Sequence, residues 1–400
     1  MKRSFLKKTA VSLVAITFAA FVFGAGQKPS QVPEDAIVET PLLIEETIQP
    51  TAKMAPFSSA EQMKKSAAAL IATLSDEDRE KSMFALTDEK ARTTWSNLPA
   101  SIVERKGLRI GDLSEDQRRL AHNLIRASTS SQGYLKVAGI MWLDDILHEQ
   151  SLERLEQRSN DAFFARLVES WRSDNYWFSF FGDPTTDARW AWMISGHHLA
   201  ANFTVVDNQV AFTPLFLGAE PYEIEKGPYA GWRVLSHEVE RGFELVQSLT
   251  EAQRQKAVLS AQIPRDVLEG PGRKASLSAF EGVVVGALSD DQKTLVWHLV
   301  QEYVENADHD AAEAQLEKIK RDGLDRLYFS WIGPTDAISK RYYYRIHGPS
   351  ILIEYIRERG VGGDQGAANH IHSIVRDPSN DYGEDWLELH YQEHHNDGRR

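Results

Sequence analysis

The sequence predicts an α+β domain built from an internally duplicated unit: a helix pair followed by a β-hairpin. The strands of the two units form a mostly antiparallel sheet core with helices outside. Three observations lead there. A helix-start motif occurs in two pairs with the same internal spacing, an aromatic block ending in Gly recurs after each pair, and an aromatic hairpin follows each block.

The helix starts are Leu74-Ser75-Asp76-Glu77-Asp78, Leu113-Ser114-Glu115-Asp116-Gln117, Leu249-Thr250-Glu251-Ala252-Gln253 and Leu288-Ser289-Asp290-Asp291-Gln292. In each, Ser or Thr is placed to cap the helix, acids meet the positive end of the helix dipole, and the third helical residue can close a capping box. Both pairs are separated by 39 residues. The aromatic blocks are Tyr176–Gly182 and Leu327–Gly333, each continuing into Pro-Thr. Strands are predicted next at Arg189–Ile194 and Arg341–Ile346, with returning strands at Leu199–Val206 and Ile351–Ile356. These are runs of aromatic and β-branched residues that suit a pleated, buried surface. Asp207-Asn208 turns the first return into Gln209–Phe212. The halves span about 61–230 and 235–395 of one domain, 61–395. Their hairpins meet either in one sheet or in two facing sheets.

The first 60 residues read differently. Met1-Lys2-Arg3 and Lys7-Lys8 precede an apolar or small-residue run from Thr9 to Phe23, then Gly24-Ala25-Gly26. That is the pattern of a cleavable export signal over 1–26, the alternative being an uncleaved N-terminal anchor. Residues 27–60 are acidic and Pro-containing and read as a linker. The domain is therefore expected outside the cytoplasm, periplasmic or secreted. The net charge of −13 and the absence of a basic stripe argue against nucleic acid and against membrane contact beyond the signal. With no cysteine in the chain, thiolate metal sites, disulfides and cysteine nucleophiles are excluded.

Histidine placement carries the functional expectation. Of thirteen histidines, five lie from His370 onward, at 370, 372, 390, 394 and 395. Two more are adjacent at Gly196-His197-His198-Leu199, and one stands at Ile346-His347-Gly348. His370 and His372 alternate in a strand-like run, which puts both imidazoles on one face within reach of one ion. The competing reading is a polar strand face. If His197 and His198 lie in a strand, they point to opposite faces, so one is a ligand or base and the other a core residue. His347 is read either as a ligand brought in by the second hairpin or as a hydrogen-bonded residue at a strand end. His390 and His394 are one helical turn apart; His390 is a reserve ligand, and His394-His395 a solvated tail. Asp381-Tyr382-Gly383-Glu384 has the pattern of a capping box for a final helix. The loop Gly360–Gly366 is neither a P-loop nor a dinucleotide fingerprint, since no Lys follows it and it precedes a strand.

The metal-site expectation is thus one divalent ion, zinc first and copper or iron second, held by His370, His372, His197 or His198, and His347. Asp381 or Asp377 would be base or second-sphere acceptor, and Arg376 an anchor for an anionic group on a small-molecule substrate. A hydrolase follows if the ion activates water, and a redox enzyme if it changes oxidation state. A non-catalytic binding protein follows if the imidazoles only exchange hydrogen bonds with pH.

Three blocks together, Trp190-x-Trp192…Gly196-His197-His198-Leu199, Tyr343-Tyr344-Arg345-Ile346-His347-Gly348-Pro349 and His370-x-His372…Arg376-Asp377-Pro378…Asn380-Asp381-Tyr382-Gly383, resemble the DUF3500 family, a domain of unknown function. The resemblance covers about residues 61–395. It implies that the blocks belong to one domain and brings no chemistry with it.

Overall fold

Alternating apolar side chains on consecutive aromatic strands need cover on two faces, and the chain supplies it unequally. The computed structural model describes residues 58–388 apart from 159 and 361–367. The expected export signal and nearly all of the linker, most of the glycine-rich loop, and His390, His394 and His395 lie outside the described residues. Eight principal strands form one sheet: β1 (Tyr176–Phe181), β2 (Arg189–Gly196), β3 (Leu199–Val206), β4 (Leu215–Ala219), β5 (Tyr328–Ile332), β6 (Tyr342–His347), β7 (Leu352–Glu358) and β8 (His370–Arg376). Their order across the sheet is β1-β2-β3-β4-β8-β7-β6-β5, with every neighbour antiparallel. Of the two arrangements the sequence allowed, the hairpins meet in one sheet. Short parallel strands finish its ends, Met83–Phe84 beside β1 and Val258–Ser260 beside β5.

The join between the sheet's halves is the β4–β8 pair, where Gly218 faces His372 and Leu215 faces Val375. Because these two strands are antiparallel, the turns that follow β2 and β6 leave the sheet at opposite ends. That geometry decides which histidines can meet.

The six longest helices among the described residues are α1 (Ser59–Ile71), α2 (Glu115–Ser128), α3 (Ser131–Gln157), α4 (Ser236–Ser248), α5 (Asp290–Val304) and α6 (His309–Asp322). One sheet face, with Trp190, Trp192, Ile194, Tyr342, Tyr344 and Ile346, packs against these helices in the main core. The opposite face, with Ala191, Met193, Tyr343, Ile356 and Ile374, is covered by Trp95, Val267 and Tyr382 from loops and short turns. No helix among the described residues is long and apolar enough to cross a membrane.

All four expected helix starts are caps. Ser75, Ser114, Thr250 and Ser289 each accept a hydrogen bond from the third helical amide, and the last three form complete capping boxes. Two boundaries differ from expectation. Helix α1 begins at Ser59 with Ser58 as its cap, inside the tract read as linker. Asp381–Gly383 is a 3-10 turn without a capping box, because the Asp381 carboxylate is taken by Arg376 and by the Asp377 amide.

Candidate metal centre

His370 and His372 alternate on β8, so both rings stand on the loop-covered face of the sheet. Their Nε2 atoms lie 2.9 Å apart, and His370 Nε2 is also 2.9 Å from His198 Nε2. The three donor nitrogens lie within 4.8 Å of one another, and all three residues are buried. A tetrahedral ion with ~2.0–2.1 Å bonds to nitrogen spaces its ligands ~3.3 Å apart, a few tenths of an ångström more than the two 2.9 Å contacts. Buried His and Asp side chains here can hold a metal ion.

His198 arrives from β3's start, but not from within a strand. His197-His198 forms the two-residue turn between β2 and β3, where Gly196 faces Leu199. The expectation of opposite faces therefore fails: strand parity does not run through a turn, and the two imidazoles stack with centroids 3.7 Å apart. His198 has a φ of 60°, a left-handed conformation that costs a non-glycine residue energy and is held only by its surroundings. Its amide donates to Asn97 O and its carbonyl accepts from the Gly218 amide. Gly218 also makes room. A Cβ at that position would meet His372 Cδ2 at 3.0 Å and His198 Cδ2 at 3.1 Å.

Carboxylates stand behind the rings. Asp266 Oδ1 is 2.8 Å from His372 Nδ1, and Glu358 Oε1 is 3.2 Å from the same nitrogen. Asp144, on α3, lies with Oδ1 2.6 Å from His197 Nδ1 and accepts from the Tyr176 hydroxyl at 2.8 Å. Burial would raise Asp266, but the His372 charge and hydrogen bonds from His372, Val267 and Asn97 hold it down to about 2. An ionised carboxylate only accepts, so the His372 proton sits on Nδ1 and its Nε2 faces the other rings. Burial pushes His198 and His370 well below the ordinary imidazole value, which keeps both neutral. For His372 burial acts in the same direction, yet Asp266 and Glu358 outweigh it and leave the ring more basic than usual. Burial drives Glu358 up to about 7.

Asn97 and Asp266 come from two loops, and buried charged residues pin both. Arg105 donates to the carbonyls of Ser96 and Leu98, which flank Asn97. The Asn97 side chain reaches Asp266 Oδ2 at 3.1 Å and His372 Nδ1 at 3.5 Å. On the second loop, Glu354 of β7 accepts from the amides of Leu268 and Glu269, just after Asp266.

Four expected site residues are elsewhere. Leu352 pairs with both His347 and Arg376, whereas Glu358, six residues further along β7, pairs with His370. At ~3.3 Å per residue that places His347 and Arg376 ~20 Å from His370. His347 meets Phe280 edge-on instead. Arg376 is paired with Asp381 at 2.6 Å and donates to Glu269 O. Asp377 binds Lys318 and the Ser379 amide and hydroxyl. These three side chains tie the C-terminal turn to the sheet and do not face the imidazoles.

A family model described as a protein of unknown function, DUF3500, matches residues 57–384. The chain belongs to the DUF3500 family. No curated protein and no solved structure matches it. The matched span takes in every side chain of this DUF3500 centre, from Asn97 to His372, and the family brings no assigned chemistry to it.

Asp144, Asp266, Glu358 and Asn97 were not anticipated. Only Asp144 leaves a trace in the sequence, as an acid on the buried stripe of α3 alongside Ile140, Leu143 and Leu147.

Proposed function

We propose that this chain is an exported metalloenzyme of hydrolytic type, with one divalent ion held by His198, His370 and His372. The observation that carries the reading is the convergence of three Nε2 atoms, two of them at 2.9 Å from the third. Each 2.9 Å Nε2–Nε2 contact is an N–H···N hydrogen bond when one ring carries its proton there; with the protons on Nδ1 the lone pairs meet, and a cation between them relieves the repulsion. Three imidazoles with carboxylates behind them suit zinc first, the ion displacing the extra proton that Asp266 and Glu358 favour on His372. A fourth position left to water would give a nucleophile near neutral pH. Copper or iron in the same nitrogen set would make the centre redox-active instead.

A cleft of about 730 Å³ supports a small-molecule substrate. Two of its wall residues, Glu220 and Asn369, directly follow β4 and directly precede His370, although none of the three imidazoles lines it. It replaces Arg376 as the place where substrate is held. The internal duplication belongs to the same reading. It is supported by the mirrored strand order and by the matching short parallel strands at both sheet ends.

A proton in place of the ion is the second reading, favoured by the raised basicity of His372. It makes the protein a non-catalytic binding protein. Chromogenic carboxylic and phosphoric esters, assayed with zinc-loaded and chelated protein, test the hydrolase. Hydrolysis that needs the ion and disappears in His198→Ala supports it; none with any ester class refutes it.

A further inference from the structure

Besides the cleft, the loop-covered face holds a separate, more enclosed cavity of about 310 Å³. Its inner wall is formed by Trp95, Met193, Ser179, Ser195 and Arg105, all of them buried. Phe84 adds apolar surface, and Lys90 and Lys106 stand at the exposed rim. The volume is at the lower end for small-molecule sites and equals the share of ~10 waters, enough for one ring or a short chain.

Arg105 is the informative member. It is 8% exposed, and its hydrogen bonds go only to neutral carbonyls: Val103, Ser96, Leu98 and, at 3.4 Å, Gly196. Its Nε has no hydrogen-bond partner. Nη1 uses one of its two protons. Arg376 has Asp381, Arg345 has Glu281 and Lys136 has Glu238 and Glu302, whereas buried Arg92 and Arg357, like Arg105, form no ion pair among the described residues; of these three, Arg105 lines the cavity. A buried guanidinium without a counter-charge is costly, and with Nη2 taken by three carbonyls and Nε sealed from solvent, Nη1 keeps one proton for an oxyanion. The rim acids Asp88 and Glu104 are exposed and do not pair with it.

We propose that this cavity binds a small organic monoanion, an aromatic or short-chain carboxylate about the size of benzoate, with its charged end toward Arg105 and its apolar body on Trp95 and Met193. The site is independent of the metal ion.

Calorimetric titration of the purified protein with benzoate, phenylacetate and hexanoate tests the proposal, with benzamide as the uncharged control. Saturable one-to-one binding is expected for at least one carboxylate, at least tenfold tighter than for benzamide. Met193→Trp, which fills the cavity, should abolish it. Lys106→Ala, an exposed change that spares the fold, should weaken it two- to threefold. His370→Ala should leave it unchanged; loss there would put the carboxylate on the ion. Equal binding of benzamide, binding that survives Met193→Trp in folded protein, or no saturation by any of the three carboxylates would each overturn the proposal.

Discussion

Asp266 Oδ1 sits 2.8 Å behind His372 Nδ1 and turns the far nitrogen of that ring toward His370. A carboxylate in this position fixes the tautomer of a ligating imidazole and makes it a better donor. Removing the charge while keeping the shape should therefore weaken the ion's hold and leave the fold intact. Asp266→Asn is expected to lower zinc affinity by about 10–100-fold, read by competition with a chromophoric chelator. Affinity unchanged within a factor of two would mean that Asp266 does not act on the centre.

Gly218 offers a steric test of the same geometry. A methyl group there would press on the rings of both His198 and His372, at 3.1 and 3.0 Å. Gly218→Ala should separate the rings and reduce metal affinity by at least tenfold, whereas Gly227→Ala, where a Cβ meets nothing and the φ of 87° strains only the local turn, should not. Parallel chelator titrations decide it.

Arg376 and Asp381 should behave as structural residues. Both are almost fully buried and bonded at 2.6 Å. Leaving either charge unpaired is expected to cost about 3–5 kcal/mol. Denaturant unfolding of Arg376→Met should register that loss, while the metal content of the remaining folded protein stays at the parent level. A variant of full stability that has lost its metal would return Arg376 to the site.

His347 should mark itself through pH. Burial, with Arg345 nearby, lowers its pKa from 6.5 to about 4 in the folded chain. Between those values the unfolded chain binds the proton and the folded chain does not, so acidification favours unfolding. The parent should lose stability as pH falls from about 6.5 toward 4. His347→Gln should lose less over that window, as measured by chemical denaturation at successive pH values. Identical slopes would contradict the assignment.

Much of this was legible in the sequence, and the exceptions share a physical origin. Helix starts at Ser75, Ser114, Thr250 and Ser289 are set by local hydrogen bonds, so four residues suffice to find them. The strand at His370 and the shared face of His370 and His372 follow from a period of two. Whether His347 joins them does not, because it depends on which way the sheet's halves are joined. Two corresponding hairpins were expected to bring their turns together, and an antiparallel β4–β8 pair sends them to opposite ends. The His197-His198 parity failed because a turn lies where a strand was assumed. Asp266 and Asn97 come from irregular loops whose paths are set by buried Glu354 and Arg105, contacts that no local pattern encodes.

Metal content is the most direct measurement. The protein, purified without a histidine tag, should carry close to one zinc, copper or iron per chain by elemental analysis. The His370→Ala/His372→Ala protein, folded by circular dichroism, should carry almost none. Equal trace amounts in both would show that the three imidazoles gather around a proton and not an ion.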